Sequence, residues 1–178
     1  MLNNKMTIYL LDKEPVVTTA WQQYFQNEKD VKIITGDFKS FMDKYKVDCV
    51  VSPGNSKGIM NGGYDYAISD YFGWELTKKV QAYIVKNYKG IQQVGSAFII
   101  DIPGSKIKLI HSPTMISPSI IKNTKVVKDC MYSTLKVAMD NKIKSIVIPA
   151  FGGATGRVAP YELAKLMYEA YNQIKKEA

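Results

Sequence analysis

Histidine occurs once in these 178 residues and cysteine twice, so the usual materials of metal centres and disulfide frameworks are scarce. The lone His111 excludes a multi-histidine metal site and a two-histidine acid–base pair. Cys49 lies in an apolar, strand-like run and Cys130 in a helix-like one. Two isolated cysteines in such settings are expected to be buried small hydrophobes, not a disulfide or a redox pair. Arginine also occurs once, at Arg157, within a glycine-rich stretch. No apolar run approaches the ~20 residues of a membrane helix. The opening "MLNNKMTIYLL" has too short an apolar core for a signal peptide and no small-residue cleavage site. The expectation is a cytoplasmic protein without membrane contact. No internal repeat, low-complexity tract or Pro/Ser linker divides the chain, so residues 1–178 are expected to form a single domain.

What the chain does have is lysine. Lysine and arginine total 24 against 16 acidic residues, for a net charge of +8 and a pI near 9.3. That balance suits an anionic partner. The lysines are scattered, however, and no aromatic-interleaved basic patch or nucleic-acid motif accompanies them, so specific nucleic-acid binding is not expected. Hydrophobic residues make up 46%, an ordinary globular share. A chain of this length can bury roughly 70% of its unfolded surface.

Strand-like and helix-like segments alternate. Strands are expected at 6–11, 31–37, 47–53, 94–102, 106–113 and 144–153. Helical spacing marks Val17, Ala20, Trp21, Tyr24 and Phe25, then Tyr64, Ala67, Ile68, Tyr71 and Phe72, with Gly73 as a stop. Further helices are expected in "KSFMDKY", in "WELTKKVQAYIVKNY" closed by Gly90, in "TKVVKDCMYSTLKVAMDN" and in "APYELAKLMYEAYNQIKK". Pro103-Gly104 between two strands signals a hairpin. The pattern specifies an α/β fold, a three-layer α/β/α sandwich with a mixed central sheet.

Three strand ends carry the chemistry. Asp37 follows the second strand, Asn55 the third, and Gly152, Gly153 and Gly156 the last. In open α/β sheets, ligands bind beyond the carboxyl ends of the strands. "PGNSKGIMNGG" and "FGGATGR" can lay backbone amides against an anion. Neither is a P-loop or a Rossmann fingerprint, and either could be a bare loop. Arg157 could fork onto a diphosphate or stand on an exposed rim. Asp37 could cap the following helix or accept a hydrogen bond from an exocyclic amine. Asp65 sits at a helix start, where the macrodipole favours a carboxylate. There it would stay ionised and could orient or deprotonate a water. His111 is expected to be a hydrogen-bonded core residue.

"VVSPGNSKGIMNGGYDYAI", "TGDF", "KLIHSPTM" and "IPAFGGATGRVAP" together resemble the macro domain family, in order and over nearly the whole chain. Asn55 falls on the second Asn of the family's Asn-Ala-Ala-Asn motif. Gly62 and Gly63 fall on its last two glycines, and Asp65 on the acidic position of the hydrolytic branch. Ser52 replaces the first Asn, Pro53-Gly54 replaces Ala-Ala, Met60-Asn61 interrupts the glycine run, and Tyr66 replaces a small residue. Val158 stands where an aromatic commonly follows the diphosphate loop. The resemblance implies ADP-ribose or an ADP-ribose-derived ligand, free or carried on an ADP-ribosylated macromolecule, with no metal or other cofactor. Asp37 would hold the adenine amine with Phe38 beside the ring. The diphosphate would lie between Gly62, Gly63 and Tyr64 on one side and Gly152, Gly153, Ala154, Thr155, Gly156 and Arg157 on the other. The distal ribose would lie by Asn55. Hydrolysis of a conjugate, with Asn55 and Asp65 as catalytic residues, and binding without turnover both remain open.

Overall fold

Strand positions are set by runs of residues that alternate between two apolar faces. In the computed structural model, which describes residues 5–178, six strands and six helices follow one another along the chain. The strands are β1 (Thr7–Asp12), β2 (Val31–Thr35), β3 (Cys49–Ser52), β4 (Phe98–Asp101), β5 (Lys108–His111) and β6 (Ser145–Pro149). The helices are α1 (Pro15–Phe25), α2 (Phe38–Lys44), α3 (Gly63–Phe72), α4 (Trp74–Tyr88), α5 (Lys125–Asp140) and α6 (Pro160–Glu177).

One sheet holds all six strands in the order β2-β1-β6-β3-β5-β4. Every neighbouring pair is parallel except β4 and β5, which form the antiparallel hairpin signalled by Pro103-Gly104. Gly104 takes φ +73 in that turn. The sheet is therefore mixed, and helices cover both faces. Cys49 and Val51 of β3, with Ile146 and Ile148 of β6, pack against α1, α5 and α6. Val50 and Val147, one residue out of phase, pack against α2, α3 and α4. This two-residue period makes β3 fully buried, as expected of a strand covered on both sides. Both cysteines are free and buried.

The strands are shorter than the apolar runs that announce them. The run 94–102 contributes only Phe98–Asp101, and 144–153 only Ser145–Pro149. Their ends leave the ladder to form turns. Gly73 closes α3 as expected, with φ +97 and its N–H on the Ser69 carbonyl at 2.8 Å. The left-handed residue that closes α4 is Lys89, one position before Gly90, whose N–H returns to Ile84. Pro15 and Pro160 occupy first turns, where a missing N–H costs nothing.

Because β2, β1, β6, β3 and β5 run parallel, their carboxyl ends share one edge of the sheet. Asp37, the 150–158 loop, the 53–62 loop and the 112–124 segment all leave from that edge.

Candidate functional site

Asp37 caps α2. Its Oδ1 accepts from the Ser40 N–H at 2.8 Å and its Oδ2 from Ser40 Oγ at 2.9 Å. These bonds hold its carboxyl below the usual carboxylate range. Each oxygen keeps a second acceptor direction, and the side chain faces solvent. Capping and recognition of an amine are therefore compatible here. Phe38 is only 2% exposed and packs against Tyr64, Tyr71 and Phe72, forming a floor beneath this end of the edge.

Asn55 braces its own loop. Its Oδ1 accepts from the N–H groups of Lys57 and Ile59 at 3.1 and 3.2 Å, and its Nδ2 donates to the Ile59 carbonyl at 2.9 Å. The backbone beside it extends the sheet by a single bridge to Met115. Gly58 is required in this turn: its φ is +72, and a Cβ would lie within 3 Å of Ile84 and Val80. The chain then reaches Gly62 and Gly63, both exposed, where a Cβ would meet nothing within 4 Å. Their backbone faces open space at the N-terminus of α3. The first-turn amides of a helix have no intrahelical partner and favour an anion.

Asp65 lies behind that surface and is 7% exposed. Its Oδ1 accepts from Ser52 Oγ at 2.6 Å. Burial pushes its pKa up to about 7, and the Ser52 bond only partly opposes that. Burial thus works against the expectation that the helix end keeps Asp65 ionised. Burial also pushes the Tyr64 hydroxyl up, and that hydroxyl has no hydrogen-bond partner. Gly54 sits where Asp65, Ser52 and His111 converge. A Cβ there would stand 2.6 Å from Asp65 Oδ2, 3.1 Å from His111 Nε2 and 3.2 Å from Ser52 Oγ. Only glycine leaves these three polar groups their space.

The 150–158 loop turns on Gly152 (φ +76) and Arg157 (φ +55), closed by Val158 N–H to the Gly152 carbonyl at 3.0 Å. Arg157 is exposed and has no carboxylate within 4 Å among the described residues. Ala154 and Thr155 are exposed at the tip. Gly153 turns its Cβ position inward. Its missing Cβ points at Leu163 and Ala150, 3.1 and 3.2 Å away, toward the packed base of α6. A branched residue there would collide with the fold itself before any ligand. Gly152 and Gly156 are pressed by Ile121, whose Cδ1 would lie 2.8 and 2.5 Å from their added Cβ atoms.

Ile121 belongs to the segment after β5, which buttresses both glycine loops. Thr114 N–H donates to the Gly54 carbonyl, Ser56 N–H to Met115, and Ile121 N–H to Gly156. Among the described residues, no three His, Cys, Asp or Glu side chains gather closely enough to hold a metal ion.

A family model described as "Macro domain" matches residues 51–167. The chain belongs to the macro domain family. It is 28% identical over 141 residues to an uncharacterised protein of Aquifex aeolicus, covering 79% of each. Among solved structures, it resembles the Oceanobacillus iheyensis macrodomain with ADP (TM-score 0.66, 21% identity), covering 76% of this chain and 73% of that one. A Gly-to-Val variant of that macrodomain with ADPR gives TM-score 0.66 at 16% identity over 97% and 80% of the two chains. The macrodomain of Mycobacterium tuberculosis DarG gives 0.63 at 16% over 74% and 85%. These likenesses establish the fold.

Within this macro domain, the residues that sequence reasoning did not assign to the site are Ser52, Gly54, Gln92, His111 and Ile121. Ser52 carried a signal, since it departs from the family motif at the strand end. His111 carried none, because it comes beside Ser52 only through the pairing of β5 with β3, and Gln92 carried none, because its N–H reaches the Ser56 carbonyl across 36 positions of sequence.

Proposed function

We infer that this macro domain binds ADP-ribose, or a ligand built on it, along the carboxyl edge of its sheet. The order of the strands carries the reading. Asp37 follows β2, the 150–158 loop follows β6 and Asn55 follows β3, in the spatial series β2-β1-β6-β3. An amine acceptor, an amide-rich turn and a polar corner at Asn55 thus succeed one another over three strand spacings, about 14 Å. Adenine, diphosphate and distal ribose succeed one another in the same way. The exposed Gly62-Gly63 backbone at the start of α3 suits the diphosphate.

The finer reading is hydrolysis of an ADP-ribose conjugate, with Asn55 orienting the distal ribose and Asp65 handling a proton. Burial pushes the Asp65 pKa up to about 7, the range in which general acid–base catalysis is most effective. One observation favours binding without turnover: all three Asn55 hydrogen bonds serve its own loop. To hold a ribose, Asn55 must give up or share them. Parallel turnover assays on ADP-ribosylated protein, ADP-ribosylated nucleic acid and O-acetyl-ADP-ribose decide between the two. Product release from any of them that Asp65→Asn lowers ~10²-fold or more supports hydrolysis. Binding with no turnover of any substrate supports the binding module.

A further inference from the structure

Asp12 ends β1, which stands in the sheet between the strand that leads to Asp37 and the strand that leads to the 150–158 loop. Its register fixes its place. Asp12 lies opposite Thr35 of β2, two residues before Asp37, and Leu11 lies opposite Pro149 of β6, where the 150–158 loop departs. The Gly36 N–H donates to the Asp12 carbonyl oxygen at 3.0 Å, so β1 and β2 stay paired up to the turn. Asp12 is thus one strand spacing, about 4.8 Å, from each neighbouring strand. Its side chain is partly buried. Oδ1 accepts from the Glu14 N–H at 2.8 Å, and among the described residues nothing donates to Oδ2. Nor does any lysine or arginine pair with the carboxylate among those residues. Burial raises its pKa, as befits a carboxylate with few donors around it. Its charge also acts on the Tyr64 hydroxyl, which is buried without a hydrogen-bond partner and whose ring meets Phe38 edge-on at 5.3 Å. Asp12 therefore lies beside the Phe38–Tyr64 floor of the edge.

We propose that Asp12 selects the ligand at the ribose that carries adenine: its carboxylate accepts from the ribose hydroxyls and excludes ligands whose ribose bears a 2′-phosphate. The role rests on the ADP-ribose reading above. In such a nucleotide one sugar joins the base to the diphosphate, and in the sheet β1 joins the strand of Asp37 to the strand of the 150–158 loop. A carboxylate with a free oxygen is a ready acceptor for a sugar hydroxyl, the use that dinucleotide-binding folds make of an acidic residue, whereas arginine serves where a 2′-phosphate is taken. A phosphate here would set like charge against a carboxylate that no cation offsets. The charged chain neighbours, Lys13 and Glu14, are both exposed and opposite in sign, so their charges cancel and Asp12 sets the balance. The fold itself asks less of this position than a carboxylate. The turn into α1 uses only Oδ1, and an amide oxygen could fill that place. The charge and the second oxygen are left for a ligand.

Calorimetric titration of the full chain with ADP-ribose and with ADP-ribose 2′-phosphate, at one ionic strength, tests this. Wild type should bind the unphosphorylated ligand at least ~10-fold more tightly. Asp12→Asn keeps an oxygen for the Glu14 N–H and removes the charge. Its melting temperature should hold, and the preference should shrink to about threefold or less, chiefly through tighter binding of the 2′-phosphate. Asp12→Ser, whose hydroxyl can also accept from Glu14, is a second neutral variant and should narrow the preference in the same way. Equal affinity of the wild type for the two ligands would overturn the proposal. So would a preference that both variants leave unchanged, because the discrimination would then lie elsewhere on the edge. Binding of neither ligand would overturn the ADP-ribose reading itself, and this proposal with it, whereas tight binding of both refutes the role of Asp12 alone.

Discussion

Replacing Asp65 by Asn removes one titrating group from the interior while keeping its shape, so stability measured against pH reports on the buried carboxyl. In the folded protein its pKa rises from 3.8 to about 7. Between those values the folded chain holds a proton that the unfolded chain has released. The sign follows from linkage: the stabilising contribution is complete below pH 3.8 and is lost as pH rises through about 7. From about pH 5 to about pH 8.5, the loss comes to about 3 kcal/mol, at 1.36 kcal/mol per pH unit of displacement. Urea denaturation of wild type and Asp65→Asn at these two pH values isolates the effect, since other carboxylates cancel in the difference. The wild type should lose about 3 kcal/mol relative to the variant on going to the higher pH. A difference that stays flat would mean that Asp65 is ionised throughout, and the burial argument would be wrong. The same ionisation bears on chemistry: a base role for Asp65 requires turnover to rise as pH passes through about 7.

Other substitutions separate ligand contacts from fold contacts. Gly62→Val should leave the melting temperature unchanged, because its φ of −145 suits any residue and a Cβ meets nothing within 4 Å. It should weaken ADP-ribose binding measured by calorimetry, and unchanged affinity would move the diphosphate away from α3. Gly153→Val should instead lower stability by about 1–3 kcal/mol through overpacking against Leu163 and Ala150, as chemical denaturation would show. Asp37→Asn keeps a side chain that can cap α2 but removes the carboxylate. Affinity for adenine-containing ligands should fall with no loss of helix stability, and equal affinity would leave Asp37 a cap alone.

The architecture was legible because strand and helix periodicities differ, and each segment's apolar spacing survives in the fold. Val50 and Val51 pack on opposite sides of the sheet, as two-residue alternation requires. Strand ends were less legible, because apolar runs continue into turns such as Ala150–Gly152 that serve packing without pairing. Glycine content located both loops but could not say which way each missing side chain points. Gly62 faces open space, whereas Gly153 faces Leu163. The protonation of Asp65 was out of reach for a different reason. Its helix-start position is local and visible, but its burial comes from packing against the end of β3, where Ser52, 13 positions earlier, donates to it. Desolvation by tertiary packing is not visible in local sequence.

The central claim is that the carboxyl edge of this sheet binds ADP-ribose, and isothermal titration calorimetry of the full chain with ADP-ribose tests it most directly, with thermal unfolding as its companion. Saturable binding at one site per chain is the expected result, weakened by both Gly62→Val and Asp37→Asn. At ~100 times the dissociation constant, the ligand should add about 2.7 kcal/mol to stability. No heat and no thermal shift at millimolar ADP-ribose would contradict the account.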